Sequence, residues 1–296
     1  MPITSLANAI DPAAVHRDVA EFTRIMTTEL AGDSLELPSF PEVALRVRKA
    51  LGNTDIAIDE VVRLVGAEPS LAVRLLQLGN SVALNPGGQR ITSLRIAIAR
   101  IGFNLARSAA IAFAMSQMRR AEAWRGLDRR FRELWDDSAR LAAVGHCVAK
   151  QARGVAADQA MLAGMLHAVG KLFVLTRLSR FPLLLNSPAL SAGIERDWHR
   201  RVAKAVLERW EMGVDIVEAA CGFEVPAAER KGPADLRDVL YAAHELGSLP
   251  PGQVSPGPVL LDSPPFRRLL LDGAACQHIV RDSAEDIASL RAALLD

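Results

Sequence analysis

The chain has 296 residues, half of them hydrophobic and only 5% aromatic, with 35 basic side chains against 34 acidic ones for a net charge of +1. That length accommodates two lobes with cores of their own, and the balanced charge gives no general attraction to nucleic acid or to an anionic membrane. Three scattered cysteines, Cys147, Cys221 and Cys276, form no C-x-x-C pair and fit reduced thiols in a cytoplasmic protein.

The opening "MPITSLANAIDPAAVHRDVAEF" has no basic stretch followed by an apolar one, so it does not read as a signal peptide. Residues 1–34 form an amphipathic extension in which Val15, Val19, Phe22 and Met26 fall at helical spacing. Such a stripe must be buried; the expected place is the N-terminal lobe of the same chain, with a homodimer as the alternative.

Helical periodicity continues with Val43, Val47, Ala50 and Leu51. Pro69 suits the first turn of a helix bearing Leu71, Leu75 and Leu78 and ending near Gly79-Asn80. The connector "LNPGGQR" (84–90) follows, then a helix capped by Thr92 or Ser93, carrying Leu94, Ala97, Ile98 and Ile101, and stopping at Gly102. The most apolar run, "SAAIAFAM", falls far short of the ~20 residues of a membrane-spanning helix, so no membrane role is expected. Residues 119–132 hold six arginines and read as a solvated helix end at the junction of two lobes rather than a nucleic-acid patch. A helix over 158–172 comes next, then the stripes Ala203, Val206, Leu207, Trp210 and Leu236, Val239, Leu240, Ala243. "PPGQVSPGPVLLDSPP" (250–265) reads as a linker before a last helix, "AEDIASLRAALL". No segment alternates with period two, so the chain is all-α.

Several of these segments, in order, resemble one family. "LPSFPEVALRV", "EPSLAVRLLQLGNS" and "ITSLRIAIARIGF", within residues 37–118, are similar to the N-terminal part of the HDOD domains, bacterial helical signalling modules related to the HD phosphohydrolases. The likeness continues through "LWDDSARLA" (134–142), "LAGMLHAVGKL" (162–172) and "HRRVAKAVLERW" (199–210), and fades after about residue 247. It implies a two-lobed helical bundle: an HDOD domain over 35–247, with a helical lobe to about 118, the junction 119–132 and an HD-like lobe from about 133. Residues 248–296 would then be a Pro/Gly linker and a short helical tail.

In active HD enzymes, histidines and aspartates on separate helices hold one or two metals that activate water. Against that pattern the resemblance puts Asp137 at the first histidine, keeps His167, and places Ala168 where the adjacent aspartate belongs. Phe223 and Glu224 stand where two histidines are frequent, and His244 stands at the last aspartate. No metal and no other cofactor is expected; the one conceivable ligand set is Asp137, His167 and His244. Lys171, His199 and Glu224 remain as groups able to meet a ligand or a phosphate. In the plainer reading His167 is a core histidine with one hydrogen bond, Lys171 complements a helix C-terminus, and His199 makes a structural hydrogen bond.

The resemblance therefore implies a non-catalytic signal-transduction module that binds an unknown signalling protein, or a small molecule or nucleotide. A metal-dependent phosphohydrolase or a nucleotide sensor using the degenerate site is the alternative.

Overall fold

The computed structural model describes residues 11–32, 50, 56–118, 126–152, 154–226 and 229–295. All secondary structure among them is helical. The lead-in Leu37–Pro38 with Pro41, and the stripe Val43, Val47 and Leu51, lie outside the described residues, as do 119–125 of the arginine-rich junction.

The N-terminal lobe comprises α2 (Ile58–Gly66), α3 (Pro69–Gly79) and α4 (Leu94–Met118). Pro69 opens α3 as its position predicts, and Asn80 closes it. The Asn80 amide donates to the carbonyls of Leu76 and Ile91 at 2.8 Å and accepts from the Ile91 N–H at 2.7 Å, pinning the connector to the helix end. Gly102, at φ 78°, takes a conformation that a side chain disfavours, but α4 resumes directly after it as a kinked helix instead of turning back. The second half of α4 runs into the other lobe, where Ser108 Oγ reaches the Asp158 carbonyl.

That C-terminal lobe is built on α5 (Asp128–Gln151), α6 (Ala157–Leu166), α7 (Val169–Leu178), α8 (Pro182–Leu185), α9 (Pro188–Arg209), α10 (Val214–Gly222) and α11 (Leu236–Gly247). One contiguous core runs through both lobes, from Leu71, Leu75 and Ile98 to Met161, Leu175 and Leu240. Arg130 from the junction bonds Glu195 at 2.5 Å and Ser191 at 3.3 Å, tying the start of α5 to α9.

Three expectations need correction. Helix α1 (Pro12–Ala31), capped by Asp11, buries Phe22 and Met26, but on the C-terminal lobe. The Phe22 ring stands edge-on to Phe181 and Trp198, with centroids 5.9 and 6.2 Å away, and Glu29 pairs with the buried Arg177 at 2.9 Å. The aromatic and cationic partners that complement this stripe lie on the far lobe, and the apolar faces of α3 and α4 are taken by each other.

The second correction concerns length. Leu94–Ala114 and Ala157–Leu178 are both long and apolar enough to cross a membrane, contrary to the sequence reading. Burial accounts for the second, of which 94% of the apolar stretch is inside the fold, as in a core helix; for the first the figure is 56%. Third, the helix expected over 158–172 breaks at His167-Ala168 into α6 and α7.

The segment after 247 continues the bundle. Helices α12 (Pro258–Leu261), α13 (Pro264–Leu269) and α14 (Gly273–Gln277) lead through a π-helical turn to α15 (Ala284–Leu295), whose limits are those of "AEDIASLRAALL". Arg268 clamps the fully buried Asp238 of α11 through two oxygens at 2.5 and 2.8 Å. Helix α15 lies on α5 and on α3: Arg291 forks onto Asp136, and Arg74 donates to the Leu294 carbonyl at 2.9 Å.

Candidate functional site

Two glycines set the position of His167. Gly164 lies on α5 so closely that a β-carbon would stand 2.6 Å from Ala142 Cα. Gly170 meets the backbone of α9 at His199 and Ala203 in the same way. Between these contacts the chain turns at His167-Ala168, and the imidazole is left 8% exposed. Its Nδ1 donates to the Gly164 carbonyl at 2.7 Å, since a carbonyl can only accept. Burial pushes the His167 pKa down to about 4, so the ring is neutral at physiological pH.

His167 lines a small cleft of about 90 Å³ together with Asp137 and Arg140 of α5, Lys171 of α7, Phe223 and Glu224 after α10, and His244 of α11. The fold thus brings Asp137, His167, His244, Lys171 and Glu224 into one place. His199 lies beside it, bonded to Glu224, whereas buried Ala168 offers no group.

The charges in this cleft are paired within the chain. Glu224 receives Lys171 Nζ at 3.1 Å, His199 Nε2 at 3.2 Å and Arg200 at 3.6 Å. The His199 hydrogen bond and the Lys171 charge hold its carboxyl well below the usual carboxylate range. Asp137 pairs at 2.8 Å with Arg140, which also donates to the Gly247 carbonyl. Lys171 does not sit at a helix C-terminus, as its sequence context suggested; it lies in the first turn of α7, where the dipole disfavours a cation and Glu224 compensates.

Phe223 packs against both histidines. Its ring stands edge-to-face with His167 at 5.6 Å and with His244 at 5.5 Å. Among the described residues no group of three His, Cys, Asp or Glu side chains is placed to hold a metal ion. The donor set explains this. One carboxylate is engaged by Arg140, the other by three basic groups, and both histidines pack against an apolar ring. The residues present do not fit a hydrolytic metal centre.

A larger hollow, about 520 Å³, lies by the start of α11 and is lined by Asp215, Glu218, Arg230 and Arg237. Its arginines are already engaged, Arg230 by Asp235 and Asp238, and Arg237 by the carbonyls of Gly222 and Val225. Two groups that matter in the small cleft were missed in the sequence, Arg140 and Arg200. The i, i+3 spacing of Arg140 from Asp137 and the adjacency of Arg200 to His199 were the available signals.

The sequence pattern of the HDOD domain matches residues 37–222, well over half of the chain. The chain belongs to the HDOD family. A curated relative, an uncharacterized protein of Treponema pallidum (strain Nichols), is 22% identical over 209 residues; the match covers 64% of this chain and 39% of that protein. Among solved structures, this HDOD chain is similar to one from Shewanella amazonensis SB2B named as a candidate metal-dependent phosphohydrolase. That match has a TM-score of 0.70 at 21% identity and covers 94% of this chain and 99% of that one. An HDOD domain protein of unknown function from Geobacter sulfurreducens matches with a TM-score of 0.62 at 22% identity, covering 95% and 98%. A candidate signal-transduction protein from Marinobacter aquaeolei VT8 gives 0.62 at 22%, covering 94% of this chain and 66% of that one. At such identities the likeness is one of fold.

Proposed function

We propose that this HDOD chain is a regulatory module of the bacterial cytoplasm that works by binding a signalling protein, without turnover at the position of the HD metals. The observation that carries the reading is the pairing of Asp137 and Glu224 with basic groups of the chain itself, with Phe223 packed against both His167 and His244. A divalent ion would have to break these ion pairs before it met either carboxylate. The cleft volume weighs against a nucleotide sensor as well. About 90 Å³ is well below the roughly 300 Å³ at which drug-sized pockets begin. The kinship with a fold whose solved members include a candidate signal-transduction protein supports the regulatory role. Burial pushes the thiols of Cys147, Cys221 and Cys276 up to about 11, in keeping with inert reduced cysteines.

The test is a calorimetric titration of manganese into chelator-treated full chain. No saturable site is expected. A one-to-one site that disappears in His167→Ala would overturn the reading.

A further inference from the structure

The basic groups around Glu224 outnumber the carboxylate they hold. Lys171 and Arg200 both point at it, and among the described residues neither has another ion pair. Arg140, in the same cleft, is matched by Asp137 alone. Among Lys171, Arg200, Arg140, Asp137 and Glu224, three cations therefore face two carboxylates, leaving one positive charge over. Two of the groups are built into the core: His199 is 6% exposed and His167 8%. His199 Nε2 is a donor, aimed at Glu224. His167 offers the opposite: with Nδ1 committed to Gly164, Nε2 of the neutral ring is an acceptor, and it makes no hydrogen bond to any described residue.

We propose that the cleft is a metal-free oxyanion site held shut by the Glu224 carboxylate, whose external ligand is a small oxyanion retaining one O–H, of the monohydrogen phosphate type. The oxyanion replaces the Glu224 carboxylate on Lys171, His199 and Arg200, and its O–H donates to His167 Nε2. The surplus positive charge favours a dianion over the single charge of the internal carboxylate. The cleft of about 90 Å³ is lined by His167, Lys171 and Glu224, and His199 and Arg200 reach it through Glu224, so a small ion rather than a large ligand suits it. This site rests on the reading that no turnover occurs at the position of the HD metals, and names what that position binds instead.

The experiment is calorimetric titration of chelator-treated full chain at about pH 8, where phosphate is mainly the monohydrogen dianion. Inorganic phosphate and sulfate are compared on the wild type, Glu224→Gln, and Glu224→Gln combined with Lys171→Met. Freed of its internal competitor, Glu224→Gln binds phosphate about tenfold tighter than the wild type, the loss of one charge-assisted contact. Sulfate, which has no O–H to give His167, binds more weakly than phosphate, and Lys171→Met removes the gain. Equal phosphate affinity in wild type and Glu224→Gln, equal binding of the two anions, or binding undiminished by Lys171→Met overturns the site. Absence of phosphate binding in all variants overturns this site alone. Phosphate bound only after manganese is added overturns the non-catalytic reading with it.

Discussion

Gly170 and His199 meet backbone to backbone: a β-carbon on Gly170 would collide with the His199 carbonyl oxygen and stand 2.9 Å from the Ala203 nitrogen. Backbone atoms cannot rotate away as a flexible side chain can, so the crossing of α7 and α9 depends on this residue. Gly170→Ala is expected to cost about 3 kcal/mol in a urea unfolding curve. Gly66→Ala, on α2 with nothing near its added methyl, should gain about 0.5–1 kcal/mol. Equal effects at the two positions would mean that the helices are not in backbone contact.

Glu29 fastens α1 to the C-terminal lobe through Arg177, whose side chain is 7% exposed and lies 3.7 Å from the centre of the Phe173 ring. Glu29→Ala removes a carboxylate from that buried guanidinium, which keeps its bond to Thr176, at a cost on the order of 2 kcal/mol. Proteolysis should then cut within residues 12–31 before the rest of the chain. Unchanged protection would remove Glu29 as the anchor.

The titration of His167 gives a signed prediction. Its folded pKa, about 4, lies below the ordinary 6.5, so on acidification the unfolded chain takes up a proton that the folded chain refuses. The stability is present in full above 6.5 and is lost as pH falls toward 4, by about 2 kcal/mol between pH 7 and 5. Burial lowers His146 in the same sense, so the slope must be compared with that of His167→Gln, which should be flatter. Glu224, with its carboxyl held down by His199 and Lys171, adds a second loss in the same direction below about 4.5. Parallel slopes for wild type and His167→Gln would contradict the buried, neutral ring.

The tail is the fourth test. Helix α15 buries Leu290, Ala293 and Leu294 against both lobes. Deleting residues 284–296 should lower stability on the order of 4 kcal/mol from the two leucines alone, read as a lower urea midpoint. A midpoint that does not move would make the segment a free appendage.

Much of this was legible in the residues. The limits of α3 followed from Pro69 and Asn80, and those of α15 from an apolar run after a Pro/Gly segment. The family likeness singled out Asp137, His167 and His244 as one conceivable set without saying that they meet; that all three line one cleft comes from the fold. What the sequence did not reveal depends on contacts far apart in the chain. Nothing local says that Phe22 meets Phe181 and Trp198, or that the tail returns to Arg74 and Asp136. The role of Lys171 was misread because the break at His167-Ala168 turns a presumed helix end into a helix start. Phe223 was visible as a lost histidine position, but its contact with two imidazoles is a property of packing alone.

The central claim is that the chain works without turnover at the position of the HD metals. Phosphodiesterase activity with added manganese, on phosphoesters and cyclic dinucleotides, tests it most directly when wild type is compared with His167→Ala and His244→Ala. The account predicts no turnover above buffer for any of the three, with His167→Ala losing only about 0.5–1.5 kcal/mol for its hydrogen bond plus the cavity it leaves. Turnover by the wild type that vanishes in both variants would contradict it and make Asp137, His167 and His244 the ligands of a working metal site.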